Sequence, residues 1–110
     1  MGVGLQGHER IDQRSIALHR AIASKIMAQP ELLQIAHENI ARAIAADSRS
    51  SHYARKWSDI LKKPLVEIAQ LMEEDSEPMR ALRQATPFAG ILTPTERWAI
   101  YDEFKSSAAK

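Results

Sequence analysis

Between residues 80 and 104 the chain reads RALRQATPFAGILTPTERWAIYDEF, and within it a helix must end, an apolar turn must form and a new helix must begin. Pro87 stops the first helix near Gln84 or Ala85, because the residue before a proline is pushed out of the α region. Gly90 is free to take a positive φ in the apolar connector 88–92. Thr93-Pro94-Thr95-Glu96 is a capping box with proline at the first helical position, which fixes where the last helix starts. With almost no solvated filler, this stretch is either the piece that locks the fold or the surface that meets a partner.

The rest of the chain reads as amphipathic helix. Ile11, Ser15, Leu18, Ile22 and Ile26 recur at spacings of three and four, so a first helix is expected over 9–28, ended by Pro30. A second, 31–46, turns Leu32, Leu33, Ala36, Ile40 and Ile44 inward, and the serines of the polar run 47–51 offer caps to a third. That third helix, 52–62, gathers Tyr53, Trp57, Ile60 and Leu61 on one side, and Lys62 and Lys63 suit its negative end. Pro64 opens a short fourth helix with Leu65, Ile68, Ala69 and Met72 inward, and Ser76 caps a fifth that holds Met79 and Leu82. β-branched alternation is nearly absent. The expectation is an all-α fold, a compact single-domain bundle of five or six short helices over 9–105. Residues 1–8 would be a flexible N-terminus and 106–110 a frayed end. Its core should include Ile22, Ile26, Ile40, Ile44, Trp57, Leu61, Ile68, Leu82, Trp98 and Tyr101.

Composition removes whole classes of function. The 110 residues contain no cysteine, so disulfides, thiolate zinc sites and cysteine nucleophiles are excluded. No run approaches the ~18 apolar residues of a membrane span, so no membrane partner is expected. The opening MGVGLQGHER lacks the apolar core of a signal peptide, and Gln6 stands where a myristoylation signal wants Ser or Thr. A soluble cytoplasmic protein is the expectation. Net charge is +1, which argues against a general polyanion binder. Residues 1–63 carry ten Lys/Arg against six Asp/Glu, and residues 64–110 carry five against eight. That polarity suits orientation of a protein partner, or head-to-tail contact in a homodimer.

No residue set amounts to an active-site signature. Asp12, Ser15 and His19 fall on one helical face and imitate a hydrolase triad, but a nucleophilic serine needs a strained turn and an oxyanion hole, and neither lies nearby. Ser15 reads instead as a small residue in the packing stripe, and His19 as a half-buried core histidine with one satisfied nitrogen. His8, His19, His37 and His52 are scattered without ligand spacing, so neither a metal nor a cofactor is expected. Arg14-Ser-Ile-Ala-Leu-His19 resembles the arginine–histidine motif of HEPN-type ribonucleases, although Ser15 departs from the usual polar Asn, Asp or His. Five steps at ~100° also set Arg14 and His19 far apart around one helix, so a shared site would need a dimer.

Two segments are candidate surfaces. Arg49, Arg55, Lys56, Lys62 and Lys63 surround Tyr53 and Trp57 with only Asp59 opposing, a combination that neutralises phosphate and stacks bases. The competing view buries Tyr53 and Trp57 with Ile60 and Leu61 and leaves the cations as a solvated face. The second surface is Arg80, Arg83, Gln84, Phe88, Ile91 and Leu92. There an apolar edge flanked by arginine would suit a protein interface. Alternatively Arg80 and Arg83 pair with Glu73, Glu74 and Asp75, or Arg83 and Gln84 hold the carbonyls of the 87–90 loop.

The words LHRAIASKI, PELLQIAHENIAR and LRQATPFAGILTPTERWAIY resemble short helical bacterial proteins that partner toxins, nucleotidyltransferase-type toxins among them. The resemblance spans about residues 9–105 and transfers no catalytic residue. It implies an antitoxin or accessory role, non-enzymatic, with nucleic-acid binding through 49–63 as the second choice.

Overall fold

Proline, serine and threonine punctuation sets the elements. The computed structural model describes residues 7–47, 49 and 51–109, and the side chains of 12–47, 49 and 51–104. Six α-helices are present among them: α1 Gly7–Ala28, α2 Leu33–Ala46, α3 Ser51–Ile60, α4 Leu65–Met72, α5 Glu77–Gln84 and α6 Pro94–Ala109. No strand occurs among the described residues, and no described helix is long and apolar enough to cross a membrane. The fold is a single-domain all-α bundle.

Boundaries depart from expectation where local geometry tightens. Pro30 opens a single 3-10 turn, Pro30–Leu32, before α2, instead of a helix continuous from residue 31. α2 closes at Asp47 in the left-handed region (φ 49°), its N–H donating to the Ile44 carbonyl. α3 stops at Ile60, and the amides of Lys62 and Lys63 donate to the carbonyls of Asp59 and Ile60 in a final tightened turn. Ser76 Oγ accepts the Met79 amide at 3.3 Å and caps α5. The capping box of α6 is complete: Glu96 Oε1 accepts the Thr93 amide at 2.7 Å and Thr93 Oγ1 accepts the Glu96 amide at 3.1 Å. Helix also covers Gly7 and His8, and runs to Ala109 where a frayed end was expected. Residues 1–6 of the N-terminal segment, and the capping serines 48 and 50, lie outside the described residues.

α1 is the central strut, packing against α4, α5 and α6, while α2 and α3 form the other pair. Ile26, Ala36, Trp57 and Met72 are fully buried, with Ile68, Phe88 and Ile91 nearly so. Ile22, Ile40, Leu61 and Leu82 join them, as the apolar stripes require. Ile44 and Tyr101 are only half-buried, at the margin of the core. Trp98 corrects the expected core outright: it is 64% exposed. The reason is the placement of α6, which packs chiefly on α1 and leaves the side bearing Trp98 uncovered.

Candidate functional site

The connector between α5 and α6 is organised around Phe88. Its ring meets Trp57 edge-on at 5.1 Å and His19 edge-on at 5.9 Å. Trp57 in turn donates its indole N–H to the Leu82 carbonyl at 2.9 Å, which ties α3 to α5. Phe88, Ile91 and Leu92 are all buried, so the exposed apolar edge expected of them is absent and they lock the fold instead.

Two polar side chains hold the backbone between α5 and α6, and a third, His19, reaches it through the Thr86 hydroxyl. Asn39 on α2 donates to the Pro87 carbonyl at 2.8 Å and the Ala89 carbonyl at 3.0 Å, while its own oxygen accepts from Arg42. Lys25 on α1 donates to the Ile91 carbonyl at 2.8 Å and pairs with Glu96 at 2.7 Å. That lysine hydrogen bond holds the Glu96 carboxyl below its ordinary pKa. His19 faces the Thr86 hydroxyl with Nε2 at 2.9 Å and the Ser15 carbonyl with Nδ1 at 2.8 Å. The tautomer follows from the network: Nδ1–H donates to the carbonyl and Nε2 accepts from Thr86, whose oxygen accepts the Phe88 amide. Burial lowers the His19 pKa from 6.5 to about 4, against the Ser15 carbonyl and with help from the charge of Arg83. His19 is therefore neutral at pH 7 with both nitrogens engaged, where one satisfied nitrogen was expected.

Arg83 and Gln84 do not hold the 87–90 carbonyls, because Arg83 points the other way. Its Nη1 caps the end of α4 through the Met72 carbonyl at 3.2 Å and the Glu74 carbonyl at 2.8 Å. Its Nη2 lies 3.5 Å from Asp12, whose second oxygen meets Arg80 Nε at 3.2 Å. Arg80 also approaches Asp75 at 3.5 Å, so one part of the expected acidic pairing is present. Gln84 is exposed beside a cleft of about 280 Å³ lined also by Asn39 and Pro87.

These contacts dismantle the apparent triad. Asp12 belongs to two arginines, and His19 meets the backbone of Ser15. Arg14, the other half of the HEPN-like pair, is exposed and lies over the Tyr101 ring at 5.3 Å. In the basic segment Arg49, Arg55, Lys56, Lys62 and Lys63 are all exposed, with Lys62 3.5 Å from Asp59. Trp57 is sealed in the core and unavailable for stacking, and Tyr53 is half-buried against the His52 ring at 4.0 Å. No group of His, Asp or Glu placed to hold a metal occurs among the described residues.

What the surface does present is an aromatic ridge on α6. Trp98 leans edge-on against Tyr101 at 5.9 Å, and the Arg14 guanidinium covers the Tyr101 ring from α1. Sequence reasoning missed Asn39, Lys25 and this ridge. A signal existed for Asn39: asparagine is a poor helix-interior residue, so its place amid Ile and Ala of α2 asks for a partner. The chain matches no family model, no curated protein and no solved structure.

Proposed function

We propose that this chain is a non-enzymatic protein-binding module, the antitoxin or accessory half of a bacterial two-protein system acting in the cytoplasm, and that the α6 ridge meets the partner. The observation that carries this is the exposure of Trp98, 64%, on an ordered aromatic pair with an arginine over it. Trp, Tyr and Arg are the residues that dominate interface energetics, and a tryptophan left in water on a rigid base gains most from being covered. Phe88, Ile91, Leu92 and Arg83 then serve the interface from beneath, by fixing the connector from which α6 starts. The resemblance to toxin partners supports the same reading. So does the chemistry of His19 and Asp12, each fully committed to structural contacts.

Co-purification from the native host at native levels tests it, with Trp98→Ala run in parallel. A stoichiometric protein retained by the wild type and lost by the folded variant is the expected result. Recovery of the wild-type chain alone refutes the reading.

A further inference from the structure

Beside the ridge lies an apolar pocket of about 170 Å³ between α1, the connector and α6. Leu18 and Ile22 form its α1 side, Phe88 and Leu92 its floor, and Tyr101 and Arg97 its α6 wall. His19 and Thr86 also reach it, but their polar atoms are spent on each other and on backbone, so the pocket offers little to a polar guest. Its size is close to the ~150 Å³ cavity that accommodates a benzene ring. One phenyl or branched aliphatic side chain fits such a space.

The rim adds a charge preference. Arg97 lines the pocket and Arg14 lies over the ring that walls it, and neither has an ion pair among the described residues. Glu96, next to Arg97 in the chain, is taken by Lys25 and the Thr93 amide, and Asp12, two residues before Arg14, by Arg80 and Arg83. Two guanidinium groups beside an apolar hole, neither in an ion pair among the described residues, recognise an apolar side chain flanked by carboxylates.

Resting on the reading of the chain as a protein-binding module, we infer that this pocket takes the anchor side chain of an acidic partner segment, an aromatic or branched apolar residue between Asp or Glu. Leu18, Phe88 and Leu92 hold the anchor. Arg97 and Arg14 pair with its acidic neighbours, and Trp98 covers the segment as it leaves the pocket.

The test is a titration of the full chain, labelled with nitrogen-15, with an acetylated and amidated pentapeptide of two aspartates, a phenylalanine and two aspartates. Saturable shifts at the amides of Gly90, Leu92, Arg97 and Tyr101 are expected. Replacing the peptide's phenylalanine by alanine should weaken binding at least about tenfold, since burying one ring is worth that much. Arg97→Glu, an exposed change, should do the same, and a peptide with lysines for aspartates should bind more weakly still. Ala89→Trp, which fills the pocket from its open side, should abolish the shifts. Absence of shifts at millimolar peptide, equal binding of the alanine peptide, or equal binding of the lysine peptide would each overturn the inference. Failure here with a native partner still lost on Trp98→Ala removes the pocket and leaves the module. Shifts here without any native partner remove the two-protein system and leave the pocket.

Discussion

His19 Nε2 sits 2.9 Å from the hydroxyl of Thr86, joining the middle of α1 to the connector 67 residues further along the chain. Protonation of that nitrogen would force the Thr86 hydroxyl to turn its hydrogen away and would place a charge where burial already lowers the pKa to about 4. Between pH 4 and 6.5 the unfolded chain binds a proton at this histidine that the folded chain refuses. Stability should be full above pH 6.5 and fall progressively toward pH 4, by ~3 kcal/mol over the window. Urea unfolding at a series of pH values measures the slope, and His19→Gln should flatten it while lowering stability at pH 7.

Arg83 is the most deeply placed charge among the described side chains, 2% exposed, with Nε lacking a partner. Its guanidinium satisfies the carbonyls of Met72 and Glu74 at the end of α4 and approaches Asp12, so removing it strands several groups at once. Arg83→Met should cost about 3 kcal/mol, the lower end for breaking a buried pair, because Asp12 keeps Arg80. Adding Asp12→Asn to Arg83→Met should then cost less than Asp12→Asn costs alone. Strict additivity in the double-mutant cycle would show that Arg83 acts only through the carbonyls of Met72 and Glu74.

The two tryptophans should separate completely. Trp57→Ala removes a fully buried ring and its hydrogen bond to Leu82, and should cost ~3–5 kcal/mol of a domain's ~5–15. Trp98→Ala removes an exposed ring and should change stability by no more than about 0.5 kcal/mol. Thermal unfolding of the two variants side by side decides it. A comparable loss in both would mean that α6 docks more tightly than its packing on α1 indicates.

That contrast also marks how much was legible in the sequence. In α3 the apolar residues share one stripe, and periodicity alone turned Trp57 inward. In α6 the residues Trp98, Ile100, Tyr101 and Phe104 spread over more than one face, so periodicity names no inner side. The helix starts of α5 and α6 were legible because Ser76 and the Thr93–Glu96 box act within four residues. The contacts that hold the connector were not. Asn39 reaches carbonyls 48 and 50 residues away and Lys25 reaches one 66 residues away; the place of Asn39 in α2 asks for a partner, but a bond to a backbone carbonyl leaves no side-chain pattern that names it. Likewise the aromatic ridge depends on Arg14 meeting Tyr101, a pairing that only the packing of α1 on α6 creates.

Gly90 takes φ +97°, a conformation that side chains with L chirality rarely adopt. A Cβ there would meet only Ile35 Cγ2, at an ordinary 3.6 Å, so space is not the obstacle. Gly90→Ala should therefore cost ~1–2 kcal/mol through backbone strain alone. A chemical denaturation midpoint unchanged from wild type would show that the connector relaxes out of this conformation at little cost.

Asn39 gives the sharpest test of how the connector is held. Its amide donates to the carbonyls of Pro87 and Ala89, and Pro87 is buried. Asn39→Ala leaves those carbonyls short of a donor, a loss of ~1–3 kcal/mol offset by ~0.7 from alanine's better helix propensity. Asn39→Asp keeps the shape and removes the donor, setting a carboxylate against two carbonyl oxygens. The aspartate variant should be the less stable of the two at pH 7 despite being the closer isostere. It should regain stability as the pH falls through the carboxylate range, because only its protonated form can donate. Hydrogen exchange at Gly90 and Ile91 should quicken in both variants, and more in the aspartate one. Equal stability of the two at pH 7 would mean that Asn39 merely packs, and that the connector is fixed by Lys25 and by Phe88 between Trp57 and His19.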